Sequence, residues 1–185
     1  MWNIPNLLTM FRLLLIPVFI ICFYSGWEYY RFWAALVFCL AAITDALDGY
    51  LARKLEQSTP FGAFLDPVAD KVMVAVALVV VAIHEQTLWF SIPAIIIISR
   101  EIAISALREW MAEIGKRANV AVSNLGKYKT IAQMLALIGL IWQPQFTLLA
   151  WFTPVGYGML YIATLLTVWS MYQYLTAAWH DLSRQ

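Results

Sequence analysis

Charge is scarce in this chain. Only 12% of its 185 residues are Asp, Glu, Lys or Arg, about half the share of a soluble domain. A water-facing surface cannot be covered with so few polar groups, so a soluble globular protein is excluded. The two cysteines, Cys22 and Cys39, both sit in apolar runs. No disulfide framework is expected, because free cysteine in such surroundings behaves as a small hydrophobe. With only two histidines as well, there is no Cys/His cluster for zinc. The net charge of +1 gives no broad basic surface for nucleic acid. Repeats, low-complexity tracts and long linkers are absent; the longest polar stretch, Glu113–Lys129, is a connection. One domain, 1–185, is therefore expected. The opening residues lack a basic segment before the apolar run and are not expected to be a cleaved signal peptide.

What fills the chain is hydrocarbon: 63% of residues are hydrophobic, against roughly 45–50% in soluble domains. A bilayer core of about 30 Å is crossed by about 20 helical residues. Six candidate spans emerge, near Leu7–Tyr24, Phe32–Ala52, Ala63–Ile83, Leu88–Trp110, Tyr128–Trp142 and Leu148–Ala178. The expected fold is thus an all-α integral membrane protein of six transmembrane helices. Arg12, Arg53, Lys54, Lys116, Arg117, Lys127, Lys129 and Arg184 fall on one side of this arrangement, and Arg31 on the other. By the excess of cations in cytoplasmic connections, both termini are expected in the cytoplasm. Trp27, Trp33, Trp89, Trp142 and Trp151 lie near the opposite ends of the spans, where an interfacial aromatic belt belongs.

Ionisable groups inside a span are costly and usually mark function. Here they concentrate at the end of the second span, with Asp45 and Asp48, and the start of the third, with Asp66 and Asp70. The i, i+3 and i, i+4 spacings put each pair on one helical face. Thr59 is placed to cap the third helix and Pro60 to open it. An antiparallel hairpin is expected to gather the four carboxylates. Crowded like charges in a low dielectric need relief. Protons, Arg and Lys partners, or metal ions would each provide it. Carboxylates are hard oxygen ligands suited to magnesium, manganese or calcium, and two divalent cations side by side recur in phosphoryl chemistry. Gly49, Ala52 and Gly62 lie on the same faces. They allow either close helix packing or room for a nucleotide beside the metals.

The pattern Asp45-x2-Asp48-Gly49-x2-Ala52-Arg53-x8-Gly62-x3-Asp66-x3-Asp70 resembles the signature of the CDP-alcohol phosphatidyltransferases, with every position filled. That resemblance implies a six-helix membrane enzyme, commonly a homodimer, whose site opens to the cytoplasm. It implies two divalent ions, Mg2+ or Mn2+, held by Asp45, Asp48 and Asp66, with Asp70 as general base and as a possible further ligand. It also assigns Gly49, Arg53 and Thr59 to the CDP moiety of CDP-diacylglycerol, beside Ala52 and Gly62.

Asn3–Arg12, Ser99-Arg100-Glu101 and Gly126–Thr130 resemble the bacterial branch of that family whose acceptor is glycerol-3-phosphate. This implies transfer of a phosphatidyl group to that acceptor with release of CMP, in the inner membrane. Arg100 and Arg108 project about 80° apart around one helix, and Lys127 enters from the same side. These three are the candidate ligands of the non-reacting acceptor phosphate; the competing reading for Arg108 and Lys127 is topology and anionic headgroups. Other acceptors within the family, namely phosphatidylglycerol, serine or an inositol phosphate, stay open. So does an ion-coupled transporter, which would be expected to show inverted repeats or broken helices. His84 lies about 27 Å along a helix from Asp66 and, like His180, is expected to be a neutral surface group.

Overall fold

The computed structural model describes residues 4–54, 59–113, 124–144, 149 and 151–182. Among the described residues six helices follow in order: α1 Ile4–Tyr24, α2 Tyr30–Lys54, α3 Pro60–Glu85, α4 Leu88–Glu113, α5 Asn124–Trp142 and α6 Phe152–Leu182. The chain is an all-α, multi-pass membrane protein. Among the described residues, four stretches are long and apolar enough to cross a membrane: Asn6–Tyr24, Tyr30–Leu47, Leu88–Glu113 and Phe152–Thr176. Asp66, Asp70, Lys71 and Glu85 interrupt the apolar run of α3. The uninterrupted apolar part of α5, Lys129–Trp142, is shorter than a span. The last helix opens at Phe152, past the Leu148 expected from hydropathy; residue 148 itself lies outside the described residues.

Helix starts and stops follow local chemistry. Thr59 caps α3 with extended backbone, and its side-chain oxygen accepts from the Gly62 amide at 3.0 Å. Pro60 stands next, where a missing amide hydrogen costs nothing. The far end of α3 closes on Gln86 in the left-handed region, φ 50°, with its amide bonded to the Ala82 carbonyl.

The buried stripe of α1 changes character along its length. Asn6, Thr9 and Arg12 are buried polar groups at the N-terminal end, and Leu15, Ile16, Phe19 and Phe23 continue inward as hydrocarbon. Leu7, Phe11, Leu14 and Ile21 cover the outer face, as lipid contact requires. The apolar part joins Phe38, Leu78, Ile97, Leu137 and Leu160 in the core.

Helix α1 packs extensively on both α2 and α3, whereas α2 and α3 touch each other sparsely. The expected hairpin is therefore not a closely packed pair: α1 fills the angle between its arms. α5 packs on α6 and α2, and α4 on α6 and α3. Gly139 and Gly156 let α5 and α6 approach closely; a Cβ at Gly139 would lie 3.6 Å from the Gly156 Cα. Small residues permit such contact in membranes, where dispersion rather than dehydration drives helix association.

At the end remote from the acidic segment, Glu85 gathers a polar clamp. Its Oε1 accepts from Gln143 at 2.8 Å and lies 3.4 Å from an Arg31 nitrogen, and Arg31 also donates to Gln143. His84 is exposed beside this clamp, with its ring edge-on to Phe23, so it is remote from the carboxylates as its position along α3 implied.

Candidate active site

Three of the four signature carboxylates can be followed to their side chains, and two of them meet on an arginine from a different helix. Arg12 of α1 is 1% exposed, and its Nη1 lies 2.6 Å from Asp45 Oδ1 and 3.2 Å from Asp66 Oδ1. One guanidinium nitrogen thus bridges α2 and α3. This explains why sparse contact between those helices still leaves the acids together: α1 supplies the linking cation. The reach of Arg12 is set by the polar stripe behind it. Asn6, on the same face of α1, donates to Thr59 Oγ1 at 3.0 Å, locking α1 to the N-terminus of α3. Gly62 is required at that junction, because a Cβ there would collide with Asn6 Oδ1 and lie 3.1 Å from Thr59 Oγ1.

Asp70 sits one turn beyond Asp66. Its Oδ1 is buried and has no hydrogen-bond partner among the described residues. A buried carboxylate oxygen left so is costly, and it has capacity for a proton, a cation or a substrate hydroxyl. Asp48, Gly49, Ala52 and Arg53 ride on the last turns of α2 and Lys127 on the first turn of α5, but their side chains lie outside the described residues.

Among the described residues, no three Asp, Glu, His or Cys side chains form a ready cation cage. The donors nonetheless fit a divalent ion. They are hard oxygens, two of them already converge on one positive nitrogen, and Asp70 holds an orphaned oxygen nearby. The signature's remaining acid, Asp48, lies about one turn from Asp45 on the described backbone of α2.

A cavity of about 920 Å³ opens from these acids. Asp45, Asp66 and Asp70 line it, and so do Lys71, Arg100, Glu101, Arg108 and Lys129. Arg100 is buried and anchored: its Nη1 donates to Glu101 Oε1 at 2.9 Å, its Nη2 to Ser170 Oγ at 2.7 Å, and its Nε is buried without a partner among the described residues. Arg108 is exposed, lies 5.0 Å from the Tyr174 ring centre and donates to the Tyr174 hydroxyl at 2.6 Å. Lys129, buried to 5% exposure, donates to Glu101 Oε1. Lys71 donates to Ser105, whose hydroxyl donates to the Glu101 carbonyl at 2.6 Å.

Arg100 and Arg108 therefore do share the cavity with the acids, as their spacing implied. Arg12 and Lys129, both counted from sequence as topology-setting charges, stand among these groups, Arg12 between Asp45 and Asp66 and Lys129 on the cavity wall. Arg12 had a legible signal: Asn6, Thr9 and Arg12 repeat at i, i+3, i+6 in an otherwise apolar helix. Lys129 had none of that kind.

Residues 2–169 match the sequence model of the CDP-alcohol phosphatidyltransferases, and the chain belongs to that family. Its relatives include a CDP-diacylglycerol–glycerol-3-phosphate 3-phosphatidyltransferase of Sodalis glossinidius (strain morsitans), 57% identical over 180 residues and covering 97% of each chain. Proteins of the same name from Shigella flexneri serotype 5b (strain 8401) and Escherichia coli (strain K12) are 56% and 55% identical over 184 residues, spanning 100% of this chain and 99% of theirs.

Proposed function

We propose that this protein transfers the phosphatidyl group of CDP-diacylglycerol to glycerol-3-phosphate, releasing phosphatidylglycerophosphate and CMP. The observation that carries the reading is that Asp45, Asp66 and Asp70 line one cavity together with Arg100, Arg108 and Lys129. It joins a place for a reacting pyrophosphate to a place for a second, unreacting phosphate. The names of the full-length relatives support the same donor and acceptor.

In this reading Asp45, Asp48 and Asp66 hold two divalent ions, Mg2+ or Mn2+, with Asp70 beside them. Bound metal supplies Lewis-acid polarisation of the pyrophosphate and charge stabilisation for the departing CMP. Asp70 accepts the proton of the acceptor's primary hydroxyl. That oxygen forms a bond to the phosphorus carrying diacylglycerol as the bond to the CMP oxygen breaks, and the electron pair leaves with CMP. Gly49, Ala52, Arg53, Thr59 and Gly62 frame the nucleotide end, with Arg53 offsetting phosphate charge. Arg108, Lys129, Arg100 and Lys127 attract the acceptor phosphate. The acyl chains stay in the bilayer between helices.

All six helices cross the membrane in this reading. The cations grouped at one end support a cytoplasmic location for both termini and the cavity mouth, in a protein that works in this reading as a homodimer in the bacterial inner membrane. The test is CMP release from CDP-diacylglycerol by purified protein across a panel of acceptors, with and without EDTA. Glycerol-3-phosphate is expected to give the fastest release, and EDTA to stop it until magnesium or manganese is added. Faster transfer to serine would overturn the acceptor, and full turnover in metal-free buffer would overturn the metals.

A further inference from the structure

A wall built only to hold a phosphate has no use for a carboxylate, yet Glu101 lines the cavity between two of its cations. Its Oε1 is committed, accepting from Arg100 and Lys129 together. No described residue donates to its Oε2, and the side chain keeps 26% of its surface exposed. Glu101 and Lys129 both lie within electrostatic reach of Asp70. The proposed base, the acid and a phosphate-attracting cation thus share one short stretch of the cavity. The main chain beneath the acid is tied to α3: the Glu101 carbonyl accepts from the Ser105 hydroxyl, and Ser105 accepts in turn from Lys71 of α3.

A three-carbon acceptor with a reacting hydroxyl at one end and a phosphate at the other carries one more polar group, its middle hydroxyl. That hydroxyl needs an acceptor in a site of this kind, and an ionised carboxylate accepts and does not donate. We infer that Glu101 is a specificity-determining residue for the acceptor, its Oε2 taking the hydrogen bond of the secondary hydroxyl of glycerol-3-phosphate. The inference rests on the acceptor proposed above. Through Oε1 the same side chain holds Arg100 and Lys129 in place for the phosphate, so one residue reads two features of the acceptor. A molecule that brings the phosphate but lacks the hydroxyl strands a desolvated carboxylate oxygen, and sites built around a hydroxyl reject such analogues strongly.

The experiment compares glycerol-3-phosphate with 3-hydroxypropyl phosphate, which differs only in lacking the middle hydroxyl. Purified full-length protein is assayed in mixed micelles with CDP-diacylglycerol and magnesium, reading CMP release. The unmodified protein is expected to favour glycerol-3-phosphate by about 10- to 100-fold in kcat/KM, the worth of one charge-assisted hydrogen bond. Glu101→Gln is expected to narrow that ratio severalfold: both acceptors lose the hold on Arg100 and Lys129, and glycerol-3-phosphate loses the bond of its secondary hydroxyl as well. Equal use of the two acceptors by the unmodified protein overturns the inference without recourse to any variant, so a Glu101→Gln protein that fails to fold cannot shelter it. Equal proportional losses with both acceptors also overturn it, since they leave Glu101 only the task of holding Arg100 and Lys129. Failure of the underlying acceptor assignment looks different: the unmodified protein would then release CMP with another alcohol and ignore both phosphates.

Discussion

Arg12→Met separates a cation that merely fills the core from one that stands in for bound metal. Methionine keeps an unbranched apolar stem but removes the charge that is 1% exposed and meets Asp45 at 2.6 Å and Asp66 at 3.2 Å. Removing one partner of a buried ion pair costs about 3–5 kcal/mol, because the other charge is left without compensation. The two carboxylates keep 31% and 43% of their surface, so water screens part of the loss and the lower figure, about 3 kcal/mol, applies. For a chain of this size each kcal/mol moves Tm by about 2–4 °C, giving a fall of about 6–12 °C. That fall is expected in EDTA, where nothing replaces the guanidinium. With saturating magnesium, ions held by the same oxygens restore the missing positive charge, and the fall is expected to shrink to less than half. The metal concentration needed for full stabilisation should drop as well, since Arg12 no longer competes for those oxygens. Thermal unfolding of purified protein in detergent, with a magnesium titration, reads all three effects. An equal loss of Tm in EDTA and in magnesium would refute the reasoning, because it would show that metal and Arg12 do not share the Asp45 and Asp66 oxygens.

Asp70→Asn is expected to lower kcat by about 10²–10⁴, the usual contribution of a general base, while binding of CDP-diacylglycerol measured directly stays near its original strength. Arg108→Gln and Lys129→Gln should each raise KM for glycerol-3-phosphate about tenfold, the effect of one lost charge-assisted hydrogen bond. KM for CDP-diacylglycerol should hardly move, and steady-state kinetics with each substrate varied in turn checks both. Gly62→Ala forces its new methyl group onto Asn6 Oδ1, which its bonds to Thr59 hold in place. A stability loss of about 1–3 kcal/mol, typical of overpacking, should appear as a lower Tm, and Asn6→Ala in the same chain should recover part of it.

Much of this protein could be read along the chain because its cues are local. Hydropathy set over about 20 residues announces a membrane helix whatever its neighbours are, and four of the described helices carry such a run. The acids at i, i+3 and i, i+4 share faces by helical geometry alone, and Thr59 caps α3 through an amide three residues away. Arg100 and Arg108, eight positions apart on one helix, reach the same cavity for that reason. Other features depended on which helices become neighbours, and no short-range pattern carries that information. From spacing alone Asp45 and Asp66 belong to a hairpin; in the fold α1 lies between its arms and joins them through Arg12, across 54 positions of sequence in the case of Asp66. The position of Lys129 admits equally a cytoplasmic anchor and a cavity wall. Its burial, with Glu101 of α4 as its partner, makes it the second. Glu101 itself is simply an acid after an arginine until α5 supplies Lys129 and α6 supplies Ser170 to hold the neighbouring Arg100. A charge in hydrocarbon must be paired or bound. The chain declares how many such charges it carries, but only the packing of distant helices decides which of them pair with one another and which are left for a substrate.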